Sequence, residues 1–286
     1  MPELPEVETV RLQLLQKIVR KTVSGVEVFH SKTVGYDEAV EDRLVGRELA
    51  HIDRIGKLLI FSFTGEDDLF VLAHLKMTGQ FFYCDTDGVA GGGHSMTPAD
   101  TELPGRHTRV AWYFTDHSAL YFNDMRLFGY MKLVDAEMVA IARSGFGPEP
   151  IDEEFDVKWF VTEVRQKRAL IKAVLLNQKF VAGLGNIYVD EALWRAKVQP
   201  TRRANTLTRK EAAAIAAASG DVMRESIIVG GTTFQHFKDT GGKNGNFTDY
   251  LQVFGQQGTA CSRCATTIIK IKAAGRGTHY CPGCQK

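Results

Sequence analysis

The sequence predicts an α+β protein: a β-rich front half opened by one helix, then a helical segment, then a short cysteine-rich tail. Three observations carry this. Short apolar runs separated by turn residues fill positions 22–134, helical periodicity takes over from 157, and four of the five cysteines fall within the last 26 positions.

The opening helix is predicted over residues 5–20. Val7, Val10, Leu14 and Ile18 recur on one face, and Pro5 suits a first helical position because its missing N–H would have had no partner there. Residues 58–75 are two apolar runs joined by Gly65-Glu66-Asp67-Asp68, and residues 108–124 repeat that plan around Asp116-His117-Ser118. Several such hairpins predict a β-sandwich or barrel. Residues 85–106 form a long Gly- and Asp-containing loop, and 144–156, with two prolines and an acidic cluster, mark a linker. Helices are predicted over 157–177, 186–196 and 208–228, the last opening with Thr208 and Glu211 in capping-box spacing. Residues 229–258, rich in Gly, Thr and Asn, are predicted as a long loop. The predicted domains are therefore 1–143, a linker at 144–156, 157–258 and 259–286.

Charge narrows the function. The chain has 35 basic and 34 acidic residues, but 1–156 carries 15 basic against 26 acidic and 157–286 carries 20 against 8. A net −11 front joined to a +12 back points to a polyanion partner for the back half, or simply to two differently charged surfaces. No run of 18 apolar residues is present, so no membrane span is expected. The first ten residues carry three glutamates and no cation, so no secretory leader is read and the expected compartment is the cytoplasm. With no heptad pattern or large apolar surface pattern, a monomer is expected.

Cys261, Cys264, Cys281 and Cys284 form two C-x2-C pairs separated by 16 residues. That spacing fits one structural zinc ion on four thiolates; two disulfides are the alternative, which a reducing compartment disfavours. A tail this short needs such a staple to fold. Cys84 is left over and reads as a buried small hydrophobe.

Further residue types bear on chemistry. Removal of Met1 would expose a secondary amine on Pro2, which titrates near about 7.7–8.0 and lower beside a helix N-terminus. Such an amine attacking an aldehyde-level carbon gives an iminium that acts as an electron sink, with Glu3 beside it as acid and base. Glu6 either hydrogen-bonds nearby or complements the helix dipole. Gly183 and Gly185 break the helical pattern, and Asn186 is placed to cap the next helix, which makes a phosphate site or an ordinary helical hairpin. The tail carries Arg263, Lys270, Lys272, Arg276 and Lys286 with no acid, a plausible phosphate clamp. Met77, Arg126 and Phe128 sit at two turns, as wedges for a base stack or, for Met77 and Phe128, as core residues at strand ends.

Taken together, P-E-L-P-E-V-E at 2–8, G-K-L-L at 56–59, H-L-K-M-T-G at 74–79, D-M-R-L-F-G at 124–129, G-L-G-N-I-Y-V-D-E at 183–191 and G-R-G-T-H-Y-C-P-G-C-Q at 275–285 resemble the bacterial formamidopyrimidine-DNA glycosylase family along essentially the whole chain. The resemblance implies an N-terminal β-sandwich, a helix–two-turn–helix domain and a C-terminal zinc finger hairpin. It implies excision of oxidised purines from damaged double-stranded DNA, followed by β- and δ-elimination. By that resemblance Pro2 is the nucleophile and Glu3 the proton shuttle, and Lys57, His74, Asn186 and Arg276 hold phosphates around the lesion, with Lys57 and Arg276 counted with Pro2 and Glu3 as catalytic residues. Arg109 contacts DNA. Met77, Arg126 and Phe128 fill the gap left by the flipped nucleotide, with Arg126 facing the orphaned cytosine, and residues 232–254 cap the everted base. Family members often read D-P-R-R-F-G where this chain has Met125 and Leu127, which loosens the expected hold on the wedge loop. Two other readings remain: an endonuclease VIII-like enzyme for oxidised pyrimidines, against which Leu4, the wedge set and the capping loop argue, and a non-catalytic zinc-dependent nucleic-acid-binding protein.

Overall fold

The first helix, α1 (Leu4–Ile18), turns Val7, Val10, Leu14 and Ile18 into the interior of a two-sheet sandwich. The structure is a computed structural model that describes residues 2–65, 68–92, 103–231 and 247–286. It divides into two compact units, Met1–Ser144 with Val229–Asn246, and Gly145–Ile228 with Phe247–Lys286.

In the first unit, β1 (Val23–Val28), α2 (Val40–Leu44), β2 (Leu49–Ile55), β3 (Leu58–Phe63), β4 (Phe70–His74), β5 (Gly79–Asp85), β6 (Gly88–Gly92), β7 (Thr108–Phe114), β8 (Ala119–Asp124) and β9 (Tyr130–Val134) precede α3 (Ala136–Ser144). The strands form two antiparallel sheets, ordered β1-β7-β8-β5-β6 and β2-β3-β4-β9. Their inner faces share one core: Phe61 of β3 meets Trp112 of β7 edge-on at 5.5 Å and Phe81 of β5 at 5.9 Å between ring centres. Of the two expected architectures, the sandwich is the one formed. Both predicted hairpins are present, β3–β4 with Leu59 opposite Ala73 and β7–β8 with Trp112 opposite Leu120. Asp116 closes the second by accepting from the Ser118 N–H and hydroxyl. Cys84 packs on a small outer apolar cluster, where burial and the Asp85 charge push its thiol up to about 11.

Two expectations are corrected here. The 85–106 loop contains β6, a Gly-rich strand without alternating side chains that exists by pairing with the β5 edge, Tyr83 opposite Ala90. Residues 136–144 form α3, whose last residue, Ser144, falls at the start of the segment expected as a linker.

The second unit holds α4 (Val157–Val164), α5 (Ile171–Leu175), α6 (Asn186–Arg195), α7 (Arg209–Ile228) and the hairpin β10 (Ile269–Ala273)–β11 (Arg276–Tyr280). Asp156 caps α4 by accepting from the N–H groups of Lys158 and Trp159, and Thr208 with Glu211 forms the predicted capping box on α7. The helix predicted over 157–177 is instead broken at 165–170. There the backbone bonds sideways, Ala204 N–H to the Ala169 carbonyl and Ile171 N–H to the Arg202 carbonyl, at the expense of helical bonds.

Candidate active site and nucleic-acid interface

In the sandwich unit, Pro2 is buried and Glu3 is the N-cap of α1. Glu3 is 2% exposed, and its backbone N–H donates to Glu6 Oε2 at 2.8 Å. Glu6 therefore fixes the backbone of the residue that follows Pro2. It also lies against Gly231, where a Cβ would come within 3.1 Å of Glu6 Oε1 and φ is +90°. A side chain there would be strained as well as crowded.

Lys57 is 6% exposed, just ahead of β3. His74 ends β4, and its Nδ1 accepts from the Lys76 N–H at 2.9 Å. Burial, aided by the charges of Lys76 and Lys57, pushes the His74 imidazole down to about 3. At neutral pH it is an uncharged ring with the proton on Nε2, a donor without a charge.

The two turns that follow His74 and Asp124 are brought together. Arg126 Nη1 lies 3.2 Å from Met77 Sδ, and its guanidinium stacks 4.8 Å from the Phe128 ring centre. Met77 and Phe128 are 39% and 48% exposed, so the core reading of these two side chains does not hold. Beneath them sits a residue that sequence reasoning missed. Asp124 is 1% exposed, and its Oδ2 accepts from the N–H groups of Phe128 at 2.8 Å and Gly129 at 2.7 Å. Its Oδ1 accepts from Arg126 N–H at 3.1 Å and from the Thr78 hydroxyl. One carboxylate thus ties both turns. Gly129 is required, since a Cβ would meet the Phe122 ring at 2.8 Å. Arg109 lies under the same turn, its Nε donating to the Asp124 carbonyl at 2.8 Å and its Nη1 to the Arg106 carbonyl at 3.0 Å. Burial holds Arg109 below the usual arginine value, with Asp124 opposing.

In the second unit, Gly183 enters the turn before α6 at φ +93°. Gln178 braces that turn, its Oε1 accepting from Gly183 N–H and its Nε2 donating to the Leu184 carbonyl. The N-cap of α6 is Gly185, one residue ahead of the expected Asn186. Asn186 is recruited elsewhere, its Nδ2 donating to the Gly277 carbonyl at 3.0 Å. Arg276 is exposed beside the hairpin tip, where Ala274 and Gly275 take φ values of +50° and +72°. Such paired positive values belong to the tight turn that matches strand twist. Arg263, expected in the basic clamp, is committed differently: its guanidinium lies 3.8 Å from the Trp194 ring centre and donates to the Trp194 carbonyl.

The four thiols of Cys261, Cys264, Cys281 and Cys284 lie within 4.8 Å of one another, with Cys261 and Cys284 Sγ 3.9 Å apart. A tetrahedral zinc with bonds of about 2.3 Å separates its sulfurs by about 3.8 Å, whereas a disulfide needs about 2 Å. The donor set fits one structural zinc ion. Zinc there cross-links the two ends of the tail, and the Trp194 indole Nε1 donates to Cys261 Sγ at 3.5 Å. The expected capping segment 232–254 lies outside the described residues from 232 to 246. From 252 to 254 its N–H groups converge on Glu191, a buried carboxylate that sequence reasoning also missed.

Comparison with known proteins adds an independent line. Residues 1–131 match the family described as formamidopyrimidine-DNA glycosylase N-terminal domain, 146–238 the formamidopyrimidine-DNA glycosylase H2TH domain, and 258–286 the zinc finger found in FPG and IleRS. The formamidopyrimidine-DNA glycosylase of Streptococcus pneumoniae is 38% identical over 289 residues, covering 100% of this chain and 99% of its own. That of Pelotomaculum thermopropionicum is 39% identical over 290 residues, covering 100% and 99%. Among solved structures, Lactococcus lactis Fpg in complex with abasic-site DNA is 35% identical with a TM-score of 0.87, and MutM with carbocyclic 8-oxo-G DNA is 36% identical with a TM-score of 0.85; both cover 100% of each chain.

Proposed function

This chain belongs to the formamidopyrimidine-DNA glycosylase family, and on that premise we infer that it is a bifunctional DNA glycosylase and abasic-site lyase of base excision repair. Its substrate class is oxidised purine, 8-oxoguanine or formamidopyrimidine, in duplex DNA, met in the cytoplasm of a bacterial cell. The observation that carries this reading is the Pro2-Glu3 terminus joined, in one chain and in family order, to three matched domains whose solved relatives are complexes with abasic-site and 8-oxo-G DNA.

The chemistry follows from the residues. Once Met1 is removed, the neutral fraction of the Pro2 amine attacks the C1′ carbon of the lesion nucleotide and the base departs. Glu3 delivers the proton that opens the sugar. The resulting iminium has no N–H to lose, so it stays cationic and acidifies the adjacent sugar carbon, which allows successive β- and δ-elimination. C1′ cannot be reached inside a stacked duplex, so the nucleotide must be flipped at a cost of a few kcal/mol. Met77, Arg126 and Phe128, an exposed cluster held by Asp124, suit the role of filling the vacated space, with Arg126 presented to the orphaned cytosine. Arg109 braces that turn and borders the DNA. Lys57, His74, Asn186 and Arg276 hold the phosphates that flank the extruded nucleotide.

The test is excision from duplexes carrying 8-oxoguanine opposite cytosine or thymine glycol opposite adenine, with borohydride present to trap the iminium. The reading predicts preferential excision and a covalent adduct with 8-oxoguanine. Preference for thymine glycol would move the enzyme to oxidised pyrimidines. Tight binding without any adduct would make it a binding protein.

A further inference from the structure

We propose that Lys172 and Asp190 are positioning residues that set the place of Arg276 by standing in for a third strand along the free edge of β11. The proposal rests on the reading of Arg276 as a phosphate contact.

Among the described residues, β11 pairs with β10 on one side only, with Gly277 opposite Lys272 and His279 opposite Lys270. Its other edge leaves main-chain groups that a wider sheet would satisfy with a neighbouring strand. Here side chains do so. The Gly277 carbonyl accepts from Asn186 Nδ2 at 3.0 Å and from Lys172 Nζ at 3.4 Å. The His279 N–H donates to Asp190 Oδ2 at 2.8 Å. Lys172 and Asp190 are joined to each other at 2.6 Å through Nζ and Oδ1. Lys172 comes from α5, and Asn186 and Asp190 are four residues apart on one face of α6.

Both partners of the ion pair are 0% exposed, so neither can touch a nucleic acid directly. A buried ion pair contributes little net stability compared with apolar side chains of the same volume, which would fill this space as well. What the charged pair supplies and an apolar pair could not is directional bonding to the β11 backbone. Those bonds fall on Gly277, the residue immediately after Arg276, from Lys172, and on His279, two residues further along the strand, from Asp190. On its other side Arg276 follows the tight turn at Ala274 and Gly275 and pairs with Ala273 across the hairpin. The exposed guanidinium is therefore aimed by the Gly277 carbonyl, and through it by Lys172 and Asp190.

A double-mutant cycle on the full, zinc-loaded protein tests this. Affinity is measured for a duplex containing a tetrahydrofuran abasic-site analogue, for wild type, Lys172→Met, Arg276→Ala and the double variant, across a salt series. Lys172→Met should retain one zinc per chain, weaken binding about tenfold, and lower the log–log salt slope by about 0.9, the signature of one lost phosphate contact. The double variant should bind no more weakly than Arg276→Ala alone. Wild-type affinity for Lys172→Met, or losses that multiply in the double variant, would overturn the proposal while leaving the proposed function intact. An unchanged slope in Arg276→Ala would overturn the phosphate role of Arg276, and the positioning role with it. If Lys172→Met fails to fold, Asp190→Asn carries the same cycle, since its amide oxygen still accepts from His279. Failure of both variants to fold would make the pair purely structural and overturn the proposal.

Discussion

Lowering the pH from 7 to 5 should cost the sandwich unit about 2 kcal/mol through one side chain, His74. Its imidazole is pushed down to about 3 in the folded protein, against 6.5 for an ordinary histidine. Below pH 6.5 the unfolded chain takes up a proton that the folded chain refuses. Stability therefore falls as the pH drops through 6.5, and this contribution levels off below about 3. At about 1.36 kcal/mol per pH unit, the fall between pH 7 and 5 is about 2 kcal/mol. Urea denaturation at the two pH values, followed by tryptophan fluorescence, measures it in wild type and in His74→Asn. Asparagine is the chosen replacement because its side-chain oxygen can accept from the Lys76 N–H as Nδ1 does. The variant should lose about 2 kcal/mol less than wild type over this range. An equal loss in both proteins would refute the buried neutral imidazole and the donor role derived from it.

Other outcomes follow from the same contacts. Asp124→Ala strips the acceptor from the N–H groups of Arg126, Phe128 and Gly129, and should destabilise the sandwich unit by about 3–5 kcal/mol in urea denaturation; a loss under about 1 kcal/mol would contradict the loop account. Cys281→Ser should abolish zinc binding, read by metal analysis, and weaken binding to lesion duplex, while trapping at Pro2 survives at high DNA concentration; equal affinity without zinc would count against the clamp. Because His74 is uncharged near pH 7, His74→Asn should lower DNA affinity without changing the log–log salt slope, whereas Arg276→Ala lowers the slope by about 0.9.

Much of this architecture could be read from residue order, because its strongest signals are local. The hairpin around Asp116-His117-Ser118 and the Thr208–Glu211 box depend on neighbours a few positions away, and both form as expected. What escaped was set by contacts distant in sequence. The break in the helix predicted over 157–177 arises from bonds to residues 202–204, and β6 exists through the β5 edge. Asn186 has the stronger intrinsic preference for the N-cap, yet Gly185 takes that position while the Asn186 amide reaches Gly277, 91 residues on. Asp124 was visible inside D-M-R-L-F-G, but its grip on two turns requires Thr78, which only the sheet brings alongside. The Asn186–Asp190 spacing on α6 was a legible hint that this face meets polar backbone. The hairpin edge it meets was not legible.

The most direct test of the central claim is to locate the covalent bond. After borohydride trapping on 8-oxoguanine duplex, the adduct is digested and the modified peptide sequenced by mass spectrometry. The account predicts a deoxyribose remnant on the Pro2 nitrogen, in chains that have lost Met1, and none on any lysine. A remnant on Lys57 or another lysine, or full trapping in chains that keep Met1, would contradict it.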